Sequence, residues 1–66
     1  MKITYDPEAD AVYIYLCREV RQPKTQKVNG DIYLDFDEEG HLVGIEVLDA
    51  SRRLDLSALL PVVVKS

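Results

Sequence analysis

A single cysteine, Cys17, excludes any disulfide within a chain of 66 residues. One histidine, His41, beside that one cysteine cannot fill a tetrahedral zinc site from one chain. Tryptophan is absent and phenylalanine occurs once, so four tyrosines supply most of the aromatic surface. No apolar run approaches the roughly 20 residues of a membrane-spanning helix; the run at residues 59–64 falls far short. From Met1 the chain enters polar residues at once, with no basic segment leading into an apolar stretch, so no secretory signal is visible. These absences predict a cytoplasmic protein with no membrane association. The length allows one domain, residues 1–66, with a thin core. Chains of this size commonly lean on disulfides, a metal or self-association. With the first two unsupported, an economical single core or an oligomer is left.

Basic charge is scarce where acid is dense. Residues 31–49 contain seven aspartates and glutamates and no lysine or arginine, a net of −7. Residues 1–30 carry a net of +1 and residues 50–66 a net of +2, giving −4 for the chain. An acidic middle repels nucleic-acid phosphate, and no basic stripe offsets it, so direct nucleic-acid binding is not expected. Such a surface suits a basic protein partner, a divalent cation or simple solubility.

Apolar residues alternate with a period of two along residues 2–6, 11–17, 31–37 and 41–48, which predicts four strands. "DPEAD" between the first two is a turn, with Asp6 leading and Pro7 presetting φ. The second strand, "AVYIYLC", is apolar or aromatic on both faces and is expected to be central and covered on two sides. Residues 18–27 read as a polar loop. Asn29-Gly30 offers a hairpin turn or a bend or bulge at Gly30 into the third strand, and the weak arm "KTQKV" favours the bend or bulge. "DEEG" closes a hairpin with Gly40 in the left-handed position. Gly44, inside the last strand, is expected to admit a backbone or a bulky ring.

At Asp49 the alternation stops. Asp49 and Ser51 are both candidate helix N-caps. Leu56, Leu59 and Leu60 fall on one helical face, and Pro61 ends the segment. This helix is the available cover for a sheet with one apolar face. Arg52 and Arg53 sit badly in a first turn and are expected to reach the carboxylates of Asp35, Asp37 or Glu46. Val62, Val63 and Val64 favour an additional edge strand, on this sheet or on that of a neighbouring subunit. The predicted fold is α+β: a four-stranded antiparallel meander, one short C-terminal helix on one face and an optional edge strand at the C-terminal end.

Two stretches, "MKITYDPEADAVYIYL" and "DFDEEGHLVGIEVLDASRRL", resemble the small prokaryotic domain-of-unknown-function family 2283. Its members read Tyr-Asp-Pro-Glu-Ala-Asp-Ala-Leu-Tyr-Ile, then Asp-x-Asp-x-x-Gly-x-Val-Gly-Ile-Glu-Ile-Leu-Asp-Ala-Ser. The resemblance implies a small antiparallel sheet followed by a helix. It fixes no activity. Because some members are encoded beside small toxin-like proteins, it also implies an antitoxin-like, partner-binding role. The basic "RQPKTQK" segment and the valine-rich end depart from the family pattern.

Two groups of side chains compete as sites. Asp35, Asp37, Glu46 and Asp49 form the constellation that could carry chemistry: they could hold magnesium or calcium and activate water for hydrolysis. Each also has an ordinary structural role as a solvent-facing residue, turn opener, outward strand residue or cap. Asp6, Glu8 and Asp10 are explained by their turn, His41 lacks an evident partner and pocket, and Cys17 reads as a small hydrophobe. Tyr13, Tyr15 and Tyr33 alternate on the face opposite the aliphatic set and, with Val62, Val63 and Val64, form the expected interface. The leading reading is a non-enzymatic protein-interaction module without cofactor, a homo-oligomer or the partner of a basic protein. The rival reading is a divalent-metal-dependent hydrolase.

Overall fold

A computed structural model of the chain describes residues 1–17, 20–59 and 61–64. Period-two alternation produces strands where it was expected: β1 (Lys2–Asp6), β2 (Ala11–Tyr15), β4 (Ile32–Phe36) and β5 (Leu42–Leu48). Two further strands join them, β3 (Lys24–Asn29) and β6 (Val63–Val64). All six form one sheet in the order β3-β4-β5-β2-β1-β6. Every neighbouring pair is antiparallel except β1 with β6, which is parallel.

The four-stranded meander is therefore corrected in number and in order. β5 lies beside β2, so the strand that follows β2 along the chain sits three places away at the far edge. The physical reason is burial. Placing β2 and β5 together sets Val12 against Val47 at the centre of the sheet, and both are buried. Full burial of a valine side chain stabilises by roughly 1.5–3 kcal/mol. β3 is exposed at all six positions and polar at all but Val28, so it tolerates an edge. For the same reason residues 24–27 lacked the apolar alternation that marks a strand.

Asn29-Gly30 belongs to the β3–β4 hairpin and not to a simple bend. Asn29 faces Ile32 across the turn, and its Oδ1 accepts from the N–H groups of Asp31 (2.8 Å) and Ile32 (3.2 Å). The asparagine side chain shapes this turn, while the ladder shifts register between Lys27 and Asn29. The other turns follow expectation. Asp6 Oδ1 accepts from the N–H of Glu8 at 3.0 Å, and Gly40 closes the β4–β5 hairpin at φ 88°.

Strand register divides the sheet into two faces. Ile3, Ile14, Ile45 and Leu34 align across four strands, beside Tyr5, Val12, Val47 and Ile32. This aliphatic face is covered by the C-terminal segment, whose Ala50, Leu54, Leu56 and Leu59 join the core around Val12 and Val47. The lid is not one helix. It consists of a four-residue turn of α-helix, α1 (Ala50–Arg53), an extended Leu54 and a 3-10 turn at Leu56–Leu59. Asp55 restarts the chain: its Oδ1 accepts from Ser57 N–H (3.2 Å) and Ser57 Oγ–H (2.6 Å). Leu60 lies outside the described residues.

Asp49 precedes α1 but makes no side-chain cap, and its backbone is left-handed at φ 56°. The cap comes from Asp10, across the sheet end. Its carbonyl accepts from Ala50 N–H (2.9 Å), and its carboxylate accepts from Ser51 N–H (3.0 Å) and Ser51 Oγ–H (2.7 Å). Tyr5 also donates to Asp10, at 2.8 Å. The arginines do not reach Asp35, Asp37 or Glu46. Arg53 pairs with Asp31 at 2.5 Å, and Arg52 with Asp49 at 3.6 Å. Register explains the change, since Asp31 precedes β4 at the sheet end where β5 hands over to the lid.

Candidate functional site

The face opposite the lid bears no element of the described chain. Two rows of side chains run across it. Thr4, Tyr13, Glu46, Tyr33 and Lys27 are successive neighbours on β1, β2, β5, β4 and β3. Lys2, Tyr15, Gly44, Asp35 and Thr25 form the second row on the same five strands. The second strand is thus covered by its own chain on one side only, a correction to the expectation of two. The predicted placement of Tyr13, Tyr15 and Tyr33 opposite the aliphatic set holds in this register.

Gly44 organises the face. With no side chain on β5 at this point, the ring of Tyr13 lies over the backbone from the neighbouring strand. A Cβ at Gly44 would stand 2.6 Å from Tyr13 Cζ and 2.8 Å from Cε1, and closer still to the hydroxyl. Crossing this gap, Tyr13 Oη–H donates to Asp35 Oδ2 at 2.5 Å on the strand beyond. Asp35 Oδ1 accepts from Thr25 Oγ–H, also at 2.5 Å. Tyr15 packs at 4.5 Å between ring centroids against Tyr13, tilted by 52°, and Lys2 Nζ lies 5.6 Å from the Tyr15 ring centre. Side chains from four strands are tied laterally, and the fifth, β5, is crossed at its glycine.

Burial first, and then the hydrogen bond to the Asp35 carboxylate, pushes the Tyr13 phenol well above its ordinary value of 10.0. Tyr5 is also raised, chiefly by donating to Asp10. In an alkaline titration followed at the tyrosinate absorbance, Tyr13 should therefore ionise above the ordinary range of a phenol. Tyr13→Phe should remove that late step and, by leaving Asp35 short of a donor, lower stability by about 1 kcal/mol. An unchanged titration curve in the variant would refute the placement of this ring.

The four carboxylates proposed as a metal set are not gathered. Asp35 and Glu46 lie on the open face, where Asp35 is held by Tyr13 and Thr25. Asp37 sits in the β4–β5 hairpin turn, where its Oδ1 accepts from Glu39 N–H (2.9 Å) and His41 N–H (2.8 Å). Asp49 is at the start of the lid, against Arg52. The structure instead brings Asp37, Glu39 and His41 together, with one ligand-type atom from each within 4.8 Å of the others. His41 thus has a partner that the sequence did not reveal: its Nδ1 lies 3.0 Å from Asp37 Oδ2.

Cys17 departs from its expected place, and the valine end takes one of the two expected for it. Cys17 is exposed and not packed as a core hydrophobe. Val63 and Val64 pair with Thr4 and Tyr5 of their own chain, and Val62 is half-buried, so strand exchange with a neighbour is not needed to place them. The sequence missed Lys2, Thr25 and Lys27 as members of the open face. The signal available was period-two parity once β3 is accepted as a strand.

Residues 2–51 match the family described as a protein of unknown function, DUF2283. The chain belongs to that family. Within that match lie both rows of the open face, together with Asp10 and Ser51 of the lid junction, whereas the 3-10 turn and β6 lie beyond it. The chain is also similar to the uncharacterized protein MJ0789 of Methanocaldococcus jannaschii, 44% identical over 52 residues. That alignment covers 79% of this chain and 43% of the relative, so this family member spans less than half the relative's length. No solved structure matches the chain. No helix among the described residues is long and apolar enough to cross a membrane.

Proposed function

We propose that this chain is a non-enzymatic protein-interaction module whose docking surface is the open face of the sheet. One observation carries the reading: a tyrosine-bearing face, locked by the Tyr13–Asp35–Thr25 chain of hydrogen bonds, stays uncovered while the lid closes the other side. A surface ordered before binding loses less side-chain freedom when a partner arrives. Tyrosines with a polar tip and a large apolar ring suit such contacts. The face also holds a depression of about 200 Å³ whose lining includes Thr4, Asp6, Tyr13, Glu46 and Leu48. A hydrolase is supported less well, because the four acids proposed for it stand in three separate places.

A tagged copy recovered from the cells that make it should carry a stoichiometric protein partner, either an untagged copy of itself or a different and basic protein. Tyr33→Arg on the open face should release that partner. Arg52→Glu, on an exposed lid position (81% side-chain exposure), should not. A bound partner indifferent to Tyr33→Arg, or no partner of either kind, overturns the reading.

A further inference from the structure

We infer that the occupant of the open face is a second copy of this chain, joined by a two-fold axis that runs along the strands between β2 and β5. The inference rests on the interaction reading and names its partner. Area is the first argument. The chain exposes 4940 Å², whereas a compact monomer of 7.5 kDa exposes roughly 4,200 Å². The chain thus carries about 700 Å² more surface than a compact monomer of its mass. Among the described residues only Val12, Val43, Val47 and Ala50 are buried apolar side chains, all of them valine or alanine. A chain with so small a core gains most from covering its remaining face.

Charge is the second argument. The two rows are acidic in the middle, at Asp35 and Glu46, and basic on the outer strands, at Lys2 and Lys27, while Asp6 of β1 shares the face beyond them. Lys2, Tyr15, Gly44 and Asp35 are consecutive across four strands, so a two-fold midway between Tyr15 and Gly44 lays Lys2 of one copy over Asp35 of the other, twice. In the adjoining row the same axis sets Tyr13 over Glu46 and brings Tyr33 above Thr4, which is already buried within its own chain. No like charges oppose each other in these two rows; in the next row the axis brings Asp6 toward Asp31, whose carboxylate Arg53 already holds. Lys2 has no carboxylate partner among the described residues, and the second copy supplies one. Aligned packing of two sheets, about 10 Å apart and within roughly 30° of parallel, is the ordinary arrangement for such faces.

Sedimentation equilibrium of the isolated full chain tests the inference. The wild type should weigh twice its 7.5 kDa. Lys2→Glu and Asp35→Lys should each weaken the dimer at least tenfold, and the double variant should regain most of the loss. Within one chain these residues stand three strands apart, about 14 Å, so rescue by the charge swap reports contact between copies. Since Asp35 also holds Tyr13, circular dichroism must show each variant folded. Tyr33→Arg, whose parent side chain bonds no other described residue, gives an independent dissociation. A monomer at millimolar concentration, or a dimer indifferent to both Lys2→Glu and Tyr33→Arg, overturns the inference. A monomer that still carries a different protein released by Tyr33→Arg overturns only the self-pairing and leaves the interaction module standing.

Discussion

Gly44→Ala should lower stability by about 2 kcal/mol, the cost of forcing one carbon into a filled site. In a chain of this length that corresponds to a fall in Tm of roughly 8–16 °C. The added Cβ would lie 2.6 Å from Tyr13 Cζ, so the ring must leave its seat on the β5 backbone. It cannot leave without surrendering the hydrogen bond to Asp35, which was reached only by crossing the glycine. Urea denaturation of four proteins decides the matter: wild type, Gly44→Ala, Tyr13→Ala and the double variant. In the Tyr13→Ala background the same glycine replacement should be close to neutral. An equal cost in both backgrounds would show that the ring is not what the glycine accommodates.

The second large effect belongs to Asp10, the clasp between sheet and lid. Its left-handed backbone, φ 51°, is a conformation that aspartate tolerates better than alanine does. Its carboxylate receives three donors, from Tyr5, Ser51 N–H and Ser51 Oγ–H. Asp10→Ala should give the larger Tm loss and Asp10→Asn, which keeps one oxygen acceptor and the backbone tolerance, a smaller one. Amide exchange should show where the loss lies: residues 50–59 should open in Asp10→Ala while β2 and β5 remain protected. Uniform loss of protection would contradict a local clasp. The carboxyl also has a pH signature. Hydrogen bonds from the Ser51 side chain first and Tyr5 second hold Asp10 below its ordinary 3.8. The unfolded chain therefore takes up this proton at higher pH than the folded one. Its contribution is complete above the unfolded value and drains away as pH falls through the folded value. Asp37 acts in the same sense, held down chiefly by the backbone of His41. Asp10→Asn should remove its part of the acid limb in a stability–pH profile and leave the part due to Asp37.

Much of this architecture is legible from alternation. Val12, Ile14, Ile45 and Val47 mark one face by parity, and Tyr13, Tyr15 and Tyr33 mark the other, without knowledge of which strands are neighbours. Neighbours were the harder question. That β5 should pair with β2 depends on a long-range preference for joining the two most apolar strands, which no local window records. β3 was hidden because an edge strand with every side chain in water needs no hydrophobic pattern. The lid was half visible: its leucines pointed to cover, but Asp55 and an extended Leu54 divide it into two short turns. Gly44 was readable as a place of close approach. That the visitor is Tyr13, on its way to Asp35, required the register. Asp10 escaped notice because its role depends on Ser51, 41 positions along the chain.

The outer strands carry one more consequence. β3 presents Lys24, Thr25, Gln26 and Lys27 with an irregular ladder at its end, while β6 offers two residues. Charged, bulged or very short margins discourage another strand from annealing alongside. Growth of this sheet into a filament is thereby opposed on both flanks.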